Sequence, residues 1–217
     1  MALPNARLLD ILEEACSPCL EFEDRCTSMR WAPEEGHVPR GFLGATGRLS
    51  EVELVLVVAE PGDPQPEESY DAGQSPRELL ESVCRYVQRS LVEGKDLFHY
   101  NLRSIMDLCF PEAEVETQLR RTWITESVLC SADEEGGHVP AKVCRACGSR
   151  YLKRQLALFS DPVIGALGNK AQKRLRKYVP GIGGGDFVEG YSVAPPGCNF
   201  DGAEESWHEI KRKVRSN

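Results

Sequence analysis

The sequence predicts an α/β fold: a three-layer sandwich in which a central, mostly parallel four-stranded sheet carries helices on both faces. Three observations predict it. Leu54-Val55-Leu56-Val57-Val58 is an unbroken apolar run that stops at Ala59-Glu60-Pro61-Gly62, the pattern of a strand buried on both faces. Three further strand-like runs follow, at 121–130, 162–168 and 187–193. Segments with helical periodicity lie between them, and strands alternating with helices argue for a parallel sheet. A chain of 217 residues accommodates one such domain, spanning 1–217.

The elements follow in order. Leu8, Leu9, Ile11 and Leu12 place a helix over 5–15. Residues 27–50 hold several Gly and Pro with Trp31 and Phe42, and are expected to form a long irregular loop. After the first strand, an acidic loop from Asp63 to Asp71 contains Tyr70. Ser75-Pro76-Arg77-Glu78 opens a helix with a cap and a proline in its first turn. Another helix covers 98–109, ahead of Pro111. A basic helix is expected over 141–159, and a second over 170–178 with Asn169 as its cap. Gly181-Ile-Gly-Gly-Gly185 lacks the Gly-Lys-Ser/Thr of a nucleotide-binding loop and is expected to be a turn. A last helix covers 203–214.

The net charge is −8, which by itself argues against a polyanionic partner. Its distribution argues the other way. Residues 141–180 carry ten Lys/Arg against one acid, Asp161, so this stretch is +9 and the remainder −17. Such asymmetry points to a face for nucleic acid, with Lys170, Lys173 and Arg174 as candidate contacts; solvated outer helix faces are the plain alternative. No apolar run reaches 18 residues and no signal peptide opens the chain, so a cytoplasmic protein without a membrane partner is expected. Nine cysteines without an export signal suggest thiols or metal ligands rather than a disulfide framework.

Glu60 is the candidate of greatest interest, because open α/β sheets place ligand crevices at the carboxyl ends of their strands.

The order of landmarks resembles the uracil-DNA glycosylase superfamily, most closely its iron–sulfur-containing bacterial and archaeal branch. Val58-Ala59-Glu60-Pro61-Gly62 falls where that superfamily has its motif after the first strand, and Thr122-Trp-Ile-Thr-Glu126-Ser-Val-Leu-Cys130 is similar to a second family strand. Tyr151-Leu-Lys-Arg-Gln-Leu156 and Ala166-Leu-Gly168 resemble the helix and strand that follow, and Ser192-Val-Ala-Pro-Pro-Gly197 stands where a His-Pro-Ser turn is expected.

The resemblance implies a DNA-repair protein that binds single- or double-stranded DNA and accommodates a flipped base. It would hydrolyse the N-glycosidic bond of uracil or another deaminated base, and a monomer is expected. Glu60 would be the catalytic, water-orienting acid. Ala59, Pro61, Gly62, Tyr70, Glu126 and Ala194 would surround the base, and Pro195, Pro196 and Gly197 would meet the DNA. Cys16, Cys19, Cys130 and Cys147 would hold a [4Fe–4S] cluster, with zinc or no metal as alternatives; Cys144 competes with Cys147, and Cys26 with either member of the first pair. Three departures qualify this. Ala194 replaces the family's histidine, Glu126 its asparagine, and Val58 its opening glycine. A second reading is therefore a catalytically silent relative that binds nucleic acid or a base without cleaving it.

Overall fold

Leu54 to Val58 are buried without exception, as a strand covered on both faces requires. In the computed structural model, which describes residues 2–17, 29–131, 136–181 and 187–217, this strand is the middle one of five. The elements are α1 (Ala6–Glu13), β1 (Leu43–Gly44), β2 (Leu54–Val58), α2 (Pro76–Glu93), α3 (Leu97–Cys109), α4 (Val115–Arg121) and β3 (Thr122–Glu126). They continue with α5 (Ala141–Cys147), α6 (Lys153–Leu156), β4 (Val163–Leu167), α7 (Asn169–Tyr178), β5 (Phe187–Gly190) and α8 (Ala203–Ser216).

The sheet order is β1-β3-β2-β4-β5, parallel except for β1, which runs antiparallel to β3. Leu56 stands level with Ile124 on one side and Gly165 on the other. A Cβ on Gly165 would sit 3.0 Å from Ile210 of α8, so this row of side chains faces α8. Trp123 and Thr125 alternate with Ile124 and point the opposite way. There Trp123 Nε1 and Thr125 Oγ1 donate to Gln155 Oε1 of α6, at 3.1 and 2.9 Å. Helices thus cover both faces, and one contiguous apolar core extends from Leu8 to Val214.

Local chemistry accounts for several boundaries. Ser75 accepts from the Glu78 N–H while the Glu78 carboxylate accepts from the Ser75 N–H, a reciprocal cap that starts α2 at Pro76. Gly94, at φ +59, ends that helix in the left-handed conformation.

Four expectations are corrected. The sheet has five strands rather than four: Leu43–Gly44 lies within the stretch expected to be irregular, and two residues are too few to show alternation. The run 121–130 stops as strand at Glu126 and is preceded by α4, although Ser127 and Val128 still donate to the carbonyls of Val58 and Ala59. The helix expected over 141–159 ends at Leu156 and passes through a π-helical turn, Gly148–Leu152. Asn169 does not cap α7; Gly168, at φ +89, takes the cap position while its N–H is donated to Gly190. Most of the glycine turn at 181–185 lies outside the described residues.

Candidate functional site

Glu60 and Glu126 come together at the carboxyl edge of the sheet. β2 ends at Val58, which pairs in register with Glu126, the last residue of β3. Glu60 follows two residues beyond Val58, so both carboxyl groups are delivered by adjacent parallel strands, where α/β sheets gather ligands.

The Glu60 side chain is only 5% exposed, and two cations of α7 meet it. Lys170 Nζ pairs with Oε1 and also donates to the carbonyls of Gly136 and Gly137, both at 3.1 Å. Arg174 Nη1 lies 2.5 Å from Oε2. That contact is an ion pair without hydrogen-bond alignment, because the same nitrogen donates to the Ala59 carbonyl at 2.9 Å and to Ser127 Oγ at 3.1 Å. Lys170 and Arg174 are one helical turn apart, which puts both on the face of α7 that meets β2 and β4. Arg174 is buried, whereas Lys170 and Lys173 are exposed, Lys170 with its ammonium paired to Glu60.

Glu126 has a different environment. It is buried, its Oε2 has no hydrogen-bond partner, and its carboxyl lies against the backbone of Gly41. A Cβ on Gly41 would stand 2.6 Å from Glu126 Cγ, and the φ of +77 there also excludes most side chains. Burial, and next the negative charge of Glu60, hold the Glu126 carboxyl well above the usual carboxylate range; Arg40 and Arg174 oppose this without cancelling it. The protonated form that this environment favours can donate through its O–H and accept through its carbonyl.

The other wall is built from loops. Buried Arg40 donates to the carbonyl of Gly36 at 3.1 Å and to that of Gly62, and pairs with Glu68 at 3.3 Å. Tyr70 completes this chain with its hydroxyl 3.5 Å from Glu68 Oε2. Pro61 is buried and Gly62 exposed, so Arg40 anchors the Glu-Pro-Gly turn from beneath. The Tyr70 ring is buried rather than open to a stacking partner, and burial raises its phenol above the ordinary value.

Ala194, Pro195, Pro196 and Gly197 lie past the end of β5. The turn is held by Asn101 Nδ2, which donates to Val193 at 2.8 Å, and by the Cys198 N–H, which donates to Ala194 at 3.2 Å. β4 intervenes between β2, which leads to Glu60, and β5, which leads to this turn. His37, a loop histidine in the sequence, is buried with an unpartnered Nδ1, and burial lowers its basicity. His138 is exposed.

Among the candidate cluster ligands, Cys16 is near enough to Cys130 to feel its charge, and burial first and that neighbour second push the Cys16 thiol up to about 12. Cys147 ends α5 one turn before Tyr151, whose hydroxyl donates to the Glu14 carbonyl at 3.2 Å, so its helix touches the segment carrying Cys16. Cys19 and its competitor Cys26 lie outside the described residues. Among the described residues no three of His, Cys, Asp and Glu stand in metal-binding geometry. Cys16, Cys130 and Cys147 therefore do not complete a site by themselves. No helix among the described residues is long and apolar enough to cross a membrane.

Sequence reasoning misses Arg40 and Ser127, and it notes Gly41 only within a glycine-rich stretch, because each acquires its role from a residue distant in the chain.

No family model matches this chain, and no curated protein matches it either.

Proposed function

We propose that the chain is a DNA-repair glycosylase-like protein that binds DNA, accommodates a flipped base beside Glu60 and Glu126, and hydrolyses its N-glycosidic bond. One observation carries this reading. Two carboxyl groups meet at the ends of adjacent parallel strands, one paired with two cations and the other buried with an unpartnered Oε2.

The division of labour follows from that difference. Glu126, as a neutral acid, offers one donor and one acceptor, matching the alternating edge of a lactam such as uracil or hypoxanthine. The Glu60 carboxylate orients a water toward the anomeric carbon and offsets the positive charge that develops on the sugar. The water adds to that carbon, its proton is released, and the bond electrons leave with the base. Lys170, 43% exposed and bound to the Gly136 and Gly137 carbonyls, is the cation whose displacement opens Glu60 to water. Extrusion of the base from its stack is the accompanying cost. The cysteines would hold a [4Fe–4S] cluster that ties the N-terminal segment to the loop after β3, with no part in bond cleavage. The protein would act as a cytoplasmic monomer.

A second reading, binding without cleavage, is favoured by the pairing of Glu60 with two cations and by the absence of a side-chain donor at Ala194. Incubation with single- and double-stranded oligonucleotides carrying uracil, hypoxanthine, xanthine or mismatched thymine, followed by alkali, separates the two. Strand scission that disappears in Glu60→Gln supports the enzyme. Binding with no scission on any substrate removes it in favour of the second reading.

A further inference from the structure

The two basic helices α5 and α7 pack together, and Gly148 permits the approach: a Cβ there would lie 2.8 Å from Tyr178 Cβ. Beside this contact is an open cleft of about 550 Å³, within the size range of small-ligand sites. Its floor is apolar. Val139 and Cys144 belong to a small buried cluster with Val128 and Val143, against which Tyr178 packs. Its rim is cationic, formed by Lys173 and Lys177 one turn apart on α7, with His138 opposite.

Two cations on the rim of this cleft lack a carboxylate partner among the described residues. Of the cations in the +9 stretch, Arg154 pairs with Glu14, Arg176 with Glu189, and Lys170 and Arg174 with Glu60. Lys173 and Lys177 form no carboxylate pair among the described residues, and the Lys177 ammonium lies 5.4 Å from the centre of the Tyr178 ring. Two uncompensated cations above an apolar floor with an aromatic edge match a ligand having one anionic and one planar part. A solvated helix face would have the charge without the floor.

We propose that this cleft binds one phosphorylated nucleotide as a unit of a single-stranded nucleic acid, with the phosphate between Lys173 and Lys177 and the base over Val139 and Cys144 beside Tyr178. A base can reach that floor only when unstacked, so a continuous duplex is excluded. The inference rests on the nucleic-acid part of the function proposed above and not on bond cleavage.

The test measures fluorescence anisotropy of a labelled oligothymidylate, which carries no deaminated base, between 50 and 200 mM salt. A duplex of equal length and free thymidine 5′-monophosphate serve as competitors. Lys173→Gln with Lys177→Gln is expected to weaken single-strand binding tenfold or more. It should also flatten the dependence of log K on log salt by about 0.7, the value for one phosphate contact on a single strand. Tyr178→Leu should weaken it roughly fivefold or more, as loss of one stacked base does. Lys153→Gln, which removes an exposed cation of the same stretch outside the cleft, should leave binding within twofold.

No binding, or equal loss in Lys153→Gln and the double variant, overturns the proposal. So does duplex competing better than single strand. Thymidine 5′-monophosphate competing as well as the polymer would assign the cleft to free nucleotides and overturn the strand. If Tyr178→Leu does not fold, the lysine pair decides. Loss of base release with intact cleft binding would reject the glycosylase alone.

Discussion

Glu126 stands level with Val58 in the parallel pairing of β2 with β3, two residues short of Glu60 on the neighbouring strand. That register puts two carboxyl groups at one sheet edge, and the charge on Glu60 is one of the two influences that raise the Glu126 carboxyl above the usual carboxylate range. The other, larger influence is burial against Gly41.

The protonation of Glu126 has a consequence for stability. Its folded-state value is raised above the unfolded value of about 4.3, so the folded chain holds a proton that the unfolded chain releases. Stability fully present below the unfolded value is lost as pH rises toward the folded value, by up to about 1.4 kcal/mol per pH unit. Glu126→Gln, which mimics the neutral acid, should not show this loss. Urea unfolding of both proteins from pH 4 to 9 checks it, and parallel stability curves would remove the neutral acid.

Arg174→Met should cost about 3–5 kcal/mol, the usual penalty for breaking a buried ion pair from one side. It also takes the donor from the Ala59 carbonyl and from Ser127 Oγ. Lys170→Met should cost only about 1 kcal/mol, since Lys170 is 43% exposed. Equal losses in urea unfolding would contradict the assignment of Arg174 as the inner partner.

Gly41→Ala should destabilise by about 1–3 kcal/mol through its positive φ alone, with the contact to Glu126 added. Combined with Glu126→Ala, part of the loss should return, giving a coupling of about 0.5–3 kcal/mol. Strict additivity in the double-mutant cycle would mean that Gly41 and Glu126 do not touch.

Gln155→Leu removes the shared acceptor of Trp123 Nε1 and Thr125 Oγ1 in a fully buried position. Leaving those donors unpaired should cost about 2 kcal/mol or more, measured by the fluorescence-monitored unfolding midpoint. A neutral effect would show that water replaces the amide.

Anaerobic reconstitution with iron and sulfide should turn the protein brown, and Cys130→Ser should abolish the colour. Cys84→Ser, which changes a buried thiol of α2, should retain it. A colourless wild-type protein, or a brown Cys130→Ser, would reject the ligand set.

Much of the fold was legible in the sequence because its signals are local. The unbroken run Leu54–Val58 announces a strand buried on both faces, and Ser75-Pro76 with Glu78 contains everything needed to start α2. β1 was not legible, since two residues become a strand only by pairing with β3. The same division runs through the site. The sequence alone determined that Glu60 would follow the central strand and that positive charge would gather in residues 141–180. Tertiary structure decided that Lys170, 110 residues away, and Arg174 would meet Glu60, that Glu126 would be buried beside it with its carboxyl raised, and that Lys173 and Lys177 would border the cleft. Chain stiffness and capping depend on near neighbours, whereas ion pairing and desolvation depend on which distant groups the packed sheet and helices bring within a few ångströms.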